Sequence, residues 1–179
     1  MSQASTPGTA EVPTTLDEFM AQALQMELDA AQRYDEFAEM METHNNLEVA
    51  QWFRKMALVE GKHASQIMAE MGWQQAPPGR ADKPVFDRFE APESASTDEL
   101  HYLMQPWHVL QLALANEERA ERFFARLASL ATVESVRKAA LELQLEEADH
   151  VALVKAWMLK VPQPEANWSD DPDPPRYDE

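Results

Sequence analysis

Apolar residues return at alternating steps of three and four in four long stretches of the chain, the spacing that lines one face of a helix. The first stripe is Leu16, Met20, Ala23, Glu27, Ala30, Tyr34, Phe37 and Met41, and the second is Val49, Phe53, Met56, Glu60, His63, Ile67 and Met71. The third runs Leu103, Pro106, Leu110, Ala113, Glu117, Ala120, Phe124 and Leu127, and the fourth Val136, Ala140, Leu143, Glu147, His150, Val154 and Trp157. They predict helices over residues 16–43, 47–71, 106–130 and 133–159, with a short helical lead-in from Thr97 to Pro106. The punctuation agrees. Thr15 with Glu18 has the form of a capping box, "HNN" at 44–46 makes a turn, Gly72 stops the second helix and Pro162 follows the fourth.

Two tight turns make two antiparallel helical hairpins. Between them, residues 73–96 hold four prolines and cannot form one helix, so they make a long crossover that Trp73, Phe86 and Phe89 are expected to fasten to the bundle. The expected architecture is all-α, a four-helix bundle over 15–160, with a disordered leader at 1–14 and an acidic, Pro-rich, extended or disordered tail at 161–179. An internal repeat supports the division. "ALQMELDAAQRYDEFA" (23–38) aligns without gaps on "ALANEERAERFFARLA" (113–128), an offset of 90, and the second and fourth helices align with an offset of 87. One hairpin looks duplicated, which implies a pseudo-two-fold axis.

Composition narrows the function classes. A formal charge of −17 argues against binding a nucleic-acid backbone or an anionic membrane surface. No run approaches the ~18 apolar residues of a membrane helix, and the first residues lack the basic start and apolar stretch of a signal peptide. A cytoplasmic location is the default expectation. The absence of cysteine excludes disulfides, thiolate zinc sites and iron–sulfur clusters, so any metal must be held by oxygen and nitrogen.

Each stripe is apolar except near its middle. There, apart from Tyr34, the ionisable residues are Glu27, Glu60, His63, Glu117, Glu147 and His150. At ~1.5 Å rise per residue, all six lie about 20–25 Å from their hairpin turns and can meet in one layer. An isolated buried carboxylate costs many kcal/mol or takes up a proton, and four of them together repel. Two divalent cations cancel four negative charges, and two neutral imidazoles complete the coordination without adding charge. Such donors suit iron or manganese, and zinc could also bind. His101 and His108 fall on the opposite face of the third helix and His44 in a turn, so all three are read as non-ligands. Gly61 is expected to relieve crowding beside the ligands.

One Glu from each of two helices and Glu-x-x-His from each of the other two is the pattern of di-iron and di-manganese bundles. Over residues 16–159 the sequence resembles the ferritin-like superfamily, most closely its rubrerythrin-type and bacterioferritin-type di-iron proteins. The resemblance implies terminal carboxylates at Glu27 and Glu117, bridging carboxylates at Glu60 and Glu147, and one metal on each of His63 and His150. It places Tyr34 where such proteins carry a tyrosine that hydrogen-bonds across the site. The chain also departs from the rubrerythrin pattern. Ala120 stands where rubrerythrins usually carry a further carboxylate, which moves the site toward a symmetrical six-ligand form. Phe124 breaks the tyrosine symmetry, and without cysteine there is no rubredoxin module.

The expected function is that of a non-haem di-iron protein reacting with hydrogen peroxide or dioxygen, by peroxide reduction or Fe(II) oxidation. Electrons would come from Fe(II) itself or from a separate donor, and a homodimer is the expected assembly. Iron storage, a di-manganese catalase or oxygenase, and a metal-free helical interaction protein are the alternatives.

Overall fold

The computed structural model describes residues 12–77 and 100–170. Four helices fill most of this span: α1 (Leu16–Thr43), α2 (Leu47–Met71), α3 (Pro106–Leu130) and α4 (Glu134–Met158). No strand occurs among the described residues. α1 packs along α2 and α3 along α4, with lesser contacts of α2 to α3 and α1 to α4. This is the expected all-α bundle of two hairpins. Residues 78–96 of the crossover lie outside the described residues, Phe86 and Phe89 among them, as do residues 1–11 of the leader and 171–179 of the tail. Trp73 packs against the core. No helix among the described residues is long and apolar enough to cross a membrane.

Local chemistry sets the helix ends. The Thr15 hydroxyl accepts the Glu18 N–H at 3.2 Å and caps α1. Asn45 takes a left-handed φ of 58° to turn the first hairpin, a conformation asparagine tolerates better than most residues. Asn46 caps α2 by accepting the Val49 N–H, and its amide nitrogen donates to the Tyr102 and Met104 carbonyls at 3.0 and 2.8 Å. The "HNN" turn thus anchors the entry to α3 as well as reversing the chain. Gly72 ends α2 in the left-handed region, φ 67°.

Two expectations need correction. Residues 100–105 form a turn at Tyr102–Leu103, not a helical lead-in, and α3 opens on Pro106, where a missing N–H costs nothing. The described part of the tail is not simply extended. Turns at Glu165–Trp168 and Asn167–Asp170 fold it, and the Trp168 ring lies 4.0 Å from the His108 ring and 5.3 Å from that of His101. The half-buried Trp168 ring also packs against the apolar core.

The core has two apolar clusters. One joins Phe19–Met26, Ala64, Ile67, Phe124–Ala131 and Val136–Leu143; the other joins Tyr34–Met41, Val49–Ala57, Val109–Ala113 and Val154. Along every helix the sequence passes from one cluster to the other through a single buried glutamate. That crossing point is where the polar layer lies.

Candidate metal centre

Glu27, Glu60, Glu117 and Glu147 are 4–6% exposed and, Tyr34 aside, are the only buried polar or charged side chains among the described residues. α1 supplies Glu27, α2 Glu60 and His63, α3 Glu117, and α4 Glu147 and His150. In both Glu-x-x-His pairs the three-residue spacing puts the two side chains on one helix face, a turn apart. Glu27, Glu60 and His63 have ligand atoms all within 4.8 Å of one another, and so do Glu117, Glu147 and His150.

The two groups meet through their imidazoles, which stack with centroids 4.0 Å apart and planes 6° from parallel. His63 Nδ1 stands 3.5 Å from Glu27 and 3.4 Å from Glu60. His150 Nδ1 stands 3.6 Å from Glu117 and 3.3 Å from Glu147. Such separations are long for charge-assisted hydrogen bonds, which run about 2.7–2.9 Å. They match donors that share a cation, since two atoms each ~2.1 Å from one ion stand about 3.0–3.5 Å apart. His63 Nδ1 is, in addition, buried without a hydrogen bond. The donor set therefore fits a pair of divalent ions of borderline or hard character, and it contains no sulfur.

Electrostatics point the same way. Burial pushes the Glu27, Glu60 and Glu147 carboxyls up, Glu60 to about 8 and Glu147 to about 7. Burial disfavours charge on the His63 ring, but the carboxylates of Glu27 and Glu60 outweigh it and raise the ring to about 9. Against the same penalty, Glu117 and Glu147 raise His150 to about 10. Without a metal the layer is a trap for protons, and a bound cation would displace them.

A cavity of about 270 Å³ opens over the paired rings, lined by Lys62, His63, Gln66, Glu146, Asp149 and His150. It gives a small solute a path to the histidine side of the layer. The ring of Tyr34 is buried and stacks on Phe53. Ala120 packs among apolar side chains and offers no ligand.

Two residues near the layer escaped the sequence reading. Asn116 Nδ2 donates to Tyr34 Oη at 2.7 Å, and Arg119 Nη2 donates to Asn116 Oδ1. An asparagine and an arginine on a long helix ordinarily read as solvated, and only the adjacency of Asn116 to Glu117 hinted otherwise. His101 and His108 accept the backbone N–H groups of Leu103 and Gln105 at their Nδ1 atoms, far from the layer in role. Gly61 also differs from expectation. A Cβ there would meet nothing within 4 Å, so crowding does not account for it.

The rubrerythrin family model matches residues 18–158 of this chain. An uncharacterized conserved protein from Magnetospirillum magnetotacticum MS-1, known from its crystal structure, is 34% identical to it with a TM-score of 0.60. That likeness covers 84% of this chain and 98% of the other. No curated protein matches the chain.

Proposed function

The chain belongs to the rubrerythrin family, and from that premise we propose that it is a non-haem di-iron protein that reduces hydrogen peroxide or oxidises Fe(II) with dioxygen. The observation that carries the reading is the layer itself: four buried glutamates and two histidines with donors 3.3–3.6 Å apart, dividing an otherwise apolar core. Glu27, Glu60 and His63 would hold one ion and Glu117, Glu147 and His150 the other. When bound, such a pair supplies two electrons to a peroxide or dioxygen substrate.

The protein's own contribution is positional. The two helical hairpins fix the six side chains on rigid elements, and the apolar clusters on either side keep the layer from flooding with water. The cavity over His63 and His150 admits a small oxidant. Burial, with the charges of Glu60 and Glu117, pushes the Tyr34 hydroxyl well above its ordinary pKa and keeps it protonated. No group within this donor set can re-reduce iron, so turnover draws on a separate electron donor.

Anaerobic loading with Fe(II) followed by a hydrogen peroxide titration tests the reading. The expected result is about two irons per chain and one peroxide consumed for two irons oxidised, with two protons taken up and two waters formed. Hundreds of irons per chain after aerobic loading would instead indicate storage. Manganese recovered in place of iron, with oxygen evolved from peroxide, would indicate a catalase.

A further inference from the structure

The partners of Tyr34 fix the direction in which its hydroxyl points. A guanidinium has only donors, so the Asn116 atom that faces Arg119 Nη2 must be the amide oxygen. That choice settles the orientation of the amide, which electron density alone rarely does. The amide nitrogen is left facing Tyr34 and donates to the phenol oxygen at 2.7 Å. A phenol that accepts this bond keeps its one proton for another partner. Bulk solvent does not reach it, since Tyr34 is 1% exposed. The charges that bear on the hydroxyl, besides Arg119, are Glu60 and Glu117.

The repeat shows that the arrangement belongs to one half only. The offset of 90 pairs Asn116 with Met26, Arg119 with Asp29 and Tyr34 with Phe124. Met26 is buried and apolar, while Asp29 is engaged on the outside by Gln25 Nε2 at 2.7 Å. All three parts of the hydrogen-bond chain are missing together from the other position.

We propose that Asn116, held in one orientation by Arg119, is a positioning residue that makes the Tyr34 hydroxyl a hydrogen-bond donor to the carboxylate layer on its Glu60 and Glu117 side. One end of the layer then carries a fixed donor that stabilises negative charge and orients a carboxylate, whereas the end beside Phe124 has only apolar packing. Under the di-iron reading, on which this consequence rests, the two metal positions are chemically unequal although their ligands match.

Ultraviolet resonance Raman spectroscopy of the full-length, metal-free protein tests the assignment. The tyrosine doublet distinguishes a hydroxyl that donates from one that accepts, and subtracting the Tyr34→Phe spectrum isolates Tyr34. The expected wild-type signal is of an oxygen that both donates and accepts. Asn116→Leu should shift it to donation alone, and Arg119→Lys should leave it as in the wild type. Asn116→Asp, which keeps the side-chain shape but can only accept, should also shift it to donation alone, so the test survives if the leucine variant fails to fold. A wild-type signal of a pure donor or pure acceptor, or one unchanged in Asn116→Asp, would overturn the proposal. Failure of the same protein to bind metal would sink the di-iron reading and leave the hydrogen-bond direction standing.

Discussion

The two halves of the polar layer carry the same candidate ligands in different settings. Glu27, Glu60 and His63 on the first hairpin correspond by the internal repeat to Glu117, Glu147 and His150 on the second. Their carboxylate-to-imidazole separations agree within 0.3 Å, from 3.3 to 3.6 Å. The settings have diverged: Tyr34 with Asn116 and Arg119 in one place, Phe124 against Phe19 and Phe123 in the other. Charge balance explains the contrast. A buried carboxylate without a partner is intolerable, so the residues of the layer are constrained together, while a neighbouring ring needs only to fill space and can gain or lose a hydroxyl.

The equivalence of the ligands breaks most clearly under substitution. Glu60→Ala and Glu147→Ala should each lower metal content from about two ions per chain to about one or fewer, because each removes a carboxylate from one of the two groups. His63→Ala and His150→Ala should each leave about one ion or fewer. Elemental analysis of the purified variants measures this. Full occupancy in either histidine variant would remove that residue from the ligand set and with it the symmetry of the halves.

The inequality of the settings gives the next largest effect. Tyr34→Phe should retain both ions yet slow iron oxidation by about 10–100-fold, followed by stopped-flow absorbance. Phe124→Tyr is the reciprocal change and should not restore function. It places a hydroxyl in a fully buried apolar site, at a cost of about 1–3 kcal/mol in denaturant unfolding.

Removing metal should expose the strain common to both halves through its pH dependence. Glu60 and Glu147 have folded pKa values of about 8 and about 7, above the ordinary 4.5. His63 and His150 have about 9 and about 10, above 6.5. In each case the folded state binds its proton more tightly than the unfolded chain does. The stability these groups lend is complete below their unfolded pKa and is lost as pH rises through the folded one. The metal-free protein should therefore melt at progressively lower temperature from about pH 4.5 to pH 10. Metal-loaded protein should hold its melting temperature across that window, as calorimetry can show. The smallest effect is at Gly61, whose empty surroundings admit a methyl group. Gly61→Ala should stabilise the fold by about 1 kcal/mol, or ~2–4 °C, without altering metal content.

Much of this was legible in the sequence, for identifiable reasons. The bounds of α1 and α2 follow from unbroken periodicity ended by Thr15, His44, Asn46 and Gly72, and α4 is one residue shorter at each end than its stripe suggests. The six polar residues stand out because each interrupts an apolar stripe and because the repeat lines them up in pairs. Asn116 and Arg119 were not legible, since neither interrupts a stripe and both types are ordinary on a solvated helix face. Trp168 was hidden for another reason: its Pro-rich, acidic surroundings look unstructured, and its docking on His101 and His108 depends on a contact some 60 residues away in sequence.

Anomalous diffraction at the iron absorption edge, from crystals grown anaerobically with excess Fe(II), tests the central claim most directly. The account predicts two peaks in the buried layer, one among Glu27, Glu60 and His63 and the other among Glu117, Glu147 and His150. A layer without anomalous density in iron-saturated crystals, or iron bound only at the acidic surface, would contradict it.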